Sequence, residues 1–263
     1  MKKLLLTTAL LATAAMPLRA EDPPKVEDFL TKQYDVCMDK SGGVTASILD
    51  CMGEEFGRQD KVMNANYQAL IKAYGAKSTL VAKLRKAQRM WAPMVEGEAD
   101  MMAHPEGGSS QAFNTHGVSQ KAVVLRGQEF KELLLVKNHG INSDVVRRNF
   151  SFQQRECSAS RFDSGMVCDT KSLPFQQKTL DANSAKLIKA AKDQGYSAYL
   201  QRYANGIRAW KVYAVANCDL LVSGKIYSNP SACLEDAARN RNYIVLTQHL
   251  ITEVPLNLKN VKK

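Results

Sequence analysis

Glu96, Glu98 and Asp100 fall close together on one predicted helix, and carboxylates held side by side can work as general acid and base. A solvated helix face explains them better. The four histidines, His104, His116, His139 and His249, are scattered with no ligand spacing such as H-E-x-x-H. There is no G-x-S-x-G elbow, no phosphate-binding glycine loop and no dinucleotide fingerprint. The residues therefore predict a protein that is not an enzyme and needs neither metal nor cofactor. Basic residues are spread over several helices without interleaved aromatics, which speaks against nucleic acid as a partner.

The chemistry the chain does offer is thiol oxidation. Its first twenty residues carry Lys2 and Lys3, an apolar run and a small residue at Ala20, the pattern of a cleavable signal peptide. No later stretch is apolar for the length a bilayer requires, and no cysteine stands at the cleavage point. A soluble periplasmic protein starting at Glu21 is expected. In an exported chain, six cysteines read as disulfides rather than as ligands. The signal's three basic residues removed, the formal charge falls from +10 to +7, a bias towards anionic partners or simply towards solubility.

The chain also resembles itself. MNANYQALIKA from Met63 recurs as LDANSAKLIKA from Leu180, with six of eleven positions identical, and Cys51 and Cys168 each stand twelve residues before the match. Downstream, RMWAPMVEGEADMM from Arg89 aligns with RAWKVYAVANCDLL from Arg208. The offset is 117 residues at the first block and 119 at the second. A unit of that length is a small domain rather than a solenoid repeat. The duplication also selects among the many possible cysteine pairings. Cys218 and Cys233 align with Ala99 and about Asn114, so both are missing together from the first copy. The expected bridges are Cys37–Cys51, Cys157–Cys168 and Cys218–Cys233, each stabilising by roughly 3 kcal/mol.

Apolar spacing predicts the elements that carry these residues. Helices are expected over Glu27 to Lys40, from Thr45 past Ile71, from Ser78 through Pro93, over Val118 to Val136, over Gln176 to Lys192, over Ser197 to Leu221 and from Ala232 to about Thr252. HPEGGSSQ from His104 and SGKIYSNPS from Ser223 read as loops. The fold class is all-α, two tandem small helical bundles stapled by disulfides. The expected boundaries are 1–20 for the signal, 21–138 for the first repeat, 139–143 for the linker, 144–252 for the second repeat and 253–263 for a basic tail. Asn66 and Asn183, Arg89 and Arg208, and Trp91 and Trp210 persist in both copies. The expectation is structural: the tryptophans plug the bundle, and the Arg and Asn side chains make interhelical hydrogen bonds.

The pattern resembles the lysozyme inhibitor LprI-like family of small exported helical domains. Asp60, Met63, Asn64 and Tyr67 correspond to its D-x-x-L-N-x-x-Y motif, Gln88, Arg89 and Trp91 to its Q-R-x-W motif, and Cys37 with Cys51 to its first cysteine pair. Leu180, Arg208, Trp210, Cys218 and Cys233 continue the likeness in the second copy. The resemblance implies a protein that binds and inhibits a lysozyme or related peptidoglycan-cleaving enzyme. The alternative is an immunity or accessory protein against another secreted toxin, or an envelope-assembly factor. Occluding a cleft calls for a protruding segment, so the loop residues His104, Glu106, Ser109, Ser110, Lys225, Tyr227 and Asn229 are the candidate contacts. The residues carry no expectation of oligomeric state.

Overall fold

The computed structural model describes residues 26–102, 109–141, 173–234 and 237–238. The elements are a 3-10 turn Val26–Phe29, then α1 Lys32–Lys40, α2 Thr45–Tyr74, α3 Thr79–Met102, α4 Ser109–His139, α5 Leu173–Asp193 and α6 Ser197–Ser223. Residues 230–234 are again helical. No strand occurs among the described residues, and the fold is all-α. None of their helices is long and apolar enough to cross a membrane.

The first expected helix is broken in two. Thr31 caps α1, its hydroxyl accepting from the Tyr34 N–H at 3.3 Å, which separates the helix from the preceding 3-10 turn. Gly42 and Gly43, at φ +58° and +78°, turn the chain back into α2. Cys37–Cys51 then pins α1 to α2. Ser78 accepts from the Val81 N–H at 3.2 Å and opens α3.

The turn, α1 and α2 are locked by one buried acid. Glu55 is 0% exposed; its carboxylate accepts from the Thr31 N–H at 2.9 Å, the Thr31 hydroxyl at 2.6 Å, Gln59 Nε2 at 2.7 Å and Arg58 Nε at 2.7 Å. Gln59 spends its other amide hydrogen on the Phe29 carbonyl at 2.8 Å. A carboxylate at the start of α1 also complements the helix dipole. Burial pushes the Glu55 pKa up, but the hydrogen bonds from Gln59, Thr31 and Arg58 outweigh it and hold the group below the ordinary value of 4.5. A lowered carboxylate pKa stabilises the fold above the unfolded value and loses that contribution as pH falls through the folded value. Glu55→Gln should therefore lower stability near pH 7 by about 1 to 3 kcal/mol. In denaturant melts from pH 7 down to pH 3, the gap to the parent should close below about pH 4.5; a constant gap would mean the lock is not ionic.

The long helices pair across the sequence. α4 lies along α2, where Gly127 lets the Met63 backbone approach: an added Cβ would meet Met63 Cα at 3.4 Å. α6 lies along α3. Gly97 touches Gly206, and Lys83, fourteen residues earlier, reaches Asp219, thirteen residues later, at 2.8 Å. The two helices are thus antiparallel. The main core draws on α2, α3, α4 and α6 together, from Met63 and Leu70 through Leu84, Trp91 and Phe130 to Leu220 and Cys233. A smaller core gathers Leu180, Leu187, Tyr199 and Tyr203 around Met101 of α3.

Burial along α3 and α6 follows the 119-residue offset. Arg85, Lys86, Arg89, Pro93 and Glu96 are exposed, as are Ala204, Asn205, Arg208, Val212 and Val215. Leu80, Leu84, Ala87 and Val95 are buried, as are Tyr199, Tyr203, Gly206 and Ala214. Cys218–Cys233 ties the end of α6 to the helical turn after it. The expected Cys157–Cys168 bridge lies outside the described residues, as do the signal segment and the basic tail.

Candidate functional site

The repeated polar residues take different places. Asn66 donates from Nδ2 to the Gly127 carbonyl of α4 at 3.0 Å, and Tyr67 beside it packs its ring 5.7 Å from Phe130. Gln88 accepts from Arg126 Nε at 3.0 Å, and Trp91 is buried in the main core. These positions hold α4 against α2 and α3. Asp60 accepts from Asn64 at 2.9 Å on the exposed side of α2. Trp210 joins both cores, and Asn183 is half-buried on α5.

Arg89 and Arg208 differ from the interhelical role expected of them. Both are exposed, and among the described residues neither side chain makes a hydrogen bond or ion pair. The physical reason is their register. Each falls on the strip of its helix that faces neither of its packing partners: Gly97 and Gln88 mark the flanks of the strip on α3, and Arg208 lies opposite the side of α6 that carries Gly206 and Tyr203.

A polar centre that sequence reasoning did not single out lies inside the main core. Arg126 of α4 is 1% exposed and donates from Nη1 to Glu129 at 2.8 Å, Asn217 at 2.6 Å and the Tyr213 hydroxyl at 3.2 Å. Its guanidinium carbon lies 4.5 Å from the Phe130 ring centroid and 5.5 Å from that of Tyr213. Nη2 is buried without a hydrogen-bond partner. Burial drives the Tyr213 hydroxyl pKa far upward, Arg126 only partly opposing it, so the phenol stays protonated. The signal was present: Val123, Arg126, Phe130 and Leu133 follow helical spacing, which places the arginine on an apolar face. The centre ties α3, α4 and α6 together, with the guanidinium itself shut off from solvent.

The expected loops separate. His104 and Glu106 lie outside the described residues. Ser109 and Ser110 belong to the first turn of α4, which begins nine residues before the predicted Val118. In the other segment, Tyr227 packs on the main core and Asn229 caps the following turn, accepting from the Ala232 N–H at 3.0 Å. Lys225 is exposed at φ +63°, and the Gly224 and Ile226 N–H groups bond back to Leu220 and Leu221 at 2.8 Å each. This segment is short and braced.

Glu96 and Asp100 are solvated on α3, while Glu98 is half-buried. No group of three or more His, Cys, Asp or Glu able to hold a metal occurs among the described residues. His116 and His139 are both exposed. A groove of about 430 Å³ runs between α5 and α6 over Leu180, Ser184, Ile188, Leu200 and Ile207, with Lys192 and Lys211 at its rim.

No curated protein and no solved structure matches the chain significantly. Residues 37–129 match the family model described as Lysozyme inhibitor LprI. That segment runs from Cys37 of α1 through α2 and α3 to Glu129 of α4, roughly a third of the chain, and it contains the Asn66, Gln88 and Arg126 contacts that pack these helices.

Proposed function

We propose that the chain is an exported inhibitor that binds a lysozyme or related peptidoglycan-cleaving enzyme and closes its cleft sterically, without catalysis of its own. The observation that carries this reading is the match of residues 37–129 to the lysozyme inhibitor family. Two disulfides in the described residues, Cys37–Cys51 and Cys218–Cys233, suit an oxidising compartment outside the cytosol. The second half is read as a diverged copy of the first, from about residue 144, supported by the shared burial pattern of α3 and α6. In this reading the segment from Gly224 to Asn229 sits at the rim of the contact. Its brace by Cys218–Cys233 lowers the ordering cost of presenting Lys225.

The test is hydrolysis of peptidoglycan by a muramidase, titrated with the oxidised full chain. Inhibition that saturates near one equivalent is expected, with a faster association rate at higher salt for a cationic enzyme, since screening relieves repulsion from this basic chain. Full enzyme activity at several equivalents, against muramidases of both charge types, would sink the reading.

A further inference from the structure

Arg89 and Arg208 occupy matching places on one surface. α3 and α6 are antiparallel, and Gly97 against Gly206 with Lys83 against Asp219 puts the centre of their contact near Ala92 and Lys211. Around that centre the two helices are related by an approximate two-fold axis normal to the pair, so their outward strips share one side. Arg89 precedes the centre by three residues on α3, and Arg208 does so on α6. The two arginines therefore stand on either side of it, about 9 Å apart along the helix direction at a rise of 1.5 Å per residue.

Between and beside them apolar side chains stand exposed among charged ones. Val212 and Val215 are 51% and 59% exposed, and Pro93 faces solvent as well. Pro93 has no N–H to offer the Arg89 carbonyl, which leaves that acceptor outside the helical ladder on the same side. Lys211, Arg85 and Lys86 add positive charge; Glu96 is the acid on this part of the strip.

We propose that this face is the carboxylate-recognition surface of the inhibitor, with Arg89 and Arg208 pairing with the two catalytic carboxylates in the cleft of a peptidoglycan-cleaving glycosidase. The proposal rests on the preceding reading of the chain as an inhibitor of such an enzyme. Glycosidases of this kind hold two carboxyl groups roughly 5 to 9 Å apart, flanking the scissile bond. Two guanidinium groups on long stems, rooted about 9 Å apart along the helices and about 8 to 10 Å across them, must converge to reach such a pair, which stems of that length allow, and each fork binds a carboxylate through two parallel hydrogen bonds. The valines and Pro93 supply the dry contact that strengthens those ion pairs by excluding water. An arginine without any use inside the fold, placed twice at equivalent positions, is thereby given one.

The experiment compares inhibition of one muramidase by the parent chain, Arg89→Gln/Arg208→Gln and Arg89→Lys/Arg208→Lys, with melting temperature measured alongside. It also measures binding of the parent chain to the muramidase with both catalytic carboxylates changed to amides. The Gln pair should lose at least about thirtyfold in potency at an unchanged melting temperature, since both side chains are solvated. The Lys pair should fall between, keeping charge but losing the fork. The amide enzyme should bind the parent chain as weakly as the native enzyme binds the Gln pair. A Gln pair within twofold of the parent overturns this assignment and leaves the inhibitor reading standing. Undiminished binding to the amide enzyme also overturns it, for the carboxylates then are not what the face recognises. A parent chain that inhibits no muramidase ends both.

Discussion

Arg126→Ala should lower the unfolding free energy by about 3 to 5 kcal/mol, the usual cost of removing one partner from a buried charge pair. Four hydrogen bonds end on this side chain, and their acceptors belong to three helices: Gln88 of α3, Glu129 of α4, and Tyr213 and Asn217 of α6. Truncation leaves Glu129, 6% exposed, as an unpaired anion in the core, together with a void under Phe130. The comparison that isolates the charge is Arg126→Met with Glu129→Leu, which removes both ions while keeping volume and should recover most of the loss. Guanidinium unfolding of the three proteins decides the matter. A loss below about 1 kcal/mol for Arg126→Ala would show that the site relaxes or hydrates around the stranded acid.

Gly206→Val should be of similar severity for a different reason. A Cβ at Gly206 would stand 2.7 Å from the Gly97 carbonyl oxygen and 2.7 Å from Met101 Sδ. The methionine can swing aside, but the carbonyl belongs to the α3 backbone and can move only if the helix does. Overpacking of this kind costs about 3 kcal/mol or more when backbone must shift. Gly206→Ala sets the same clash against a helix-propensity gain of about 0.5 to 1 kcal/mol and should still lose stability. Amide exchange is the discriminating measurement. Protection should fall along α6 and the facing side of α3 while α2 and the Cys37–Cys51 hairpin keep theirs; uniform loss would mean that the crossing is not the local seam.

The sequence was most legible where a helix has one apolar side and a marked start. Ser78 announces α3, Gly42 and Gly43 close α1, and α6 begins at the predicted Ser197. The expected start of α4 at Val118 falls nine residues late because the helix packs on both α2 and α3, so its apolar residues form no single stripe and its first turns carry Ser, Gln, Asn and Thr. The break at Thr31 has no local signal, because its cause, Glu55, is 24 residues away. Similarly, the pairing of α3 with α6 depends on the small residues Gly97 and Gly206, whose role shows only when the two helices are side by side. The repeated arginines were visible as a pattern, but spacing alone does not say on which side of a helix the neighbours lie.

The seam between α3 and α6 also sets an order of assembly. Lys83 reaches Asp219 and Ser223 across 136 and 140 residues, while the two described disulfides close separations of only 14 and 15. Local closures form fast, and a contact that must first close a loop of more than a hundred residues forms late. The cysteine hairpins can thus oxidise before the halves meet, with little opportunity for mispairing. Only the final docking of α6 onto α3 brings Arg89 and Arg208 onto one surface. A chain trapped short of that step would carry native disulfides and near-native helix content, yet present neither arginine beside the other.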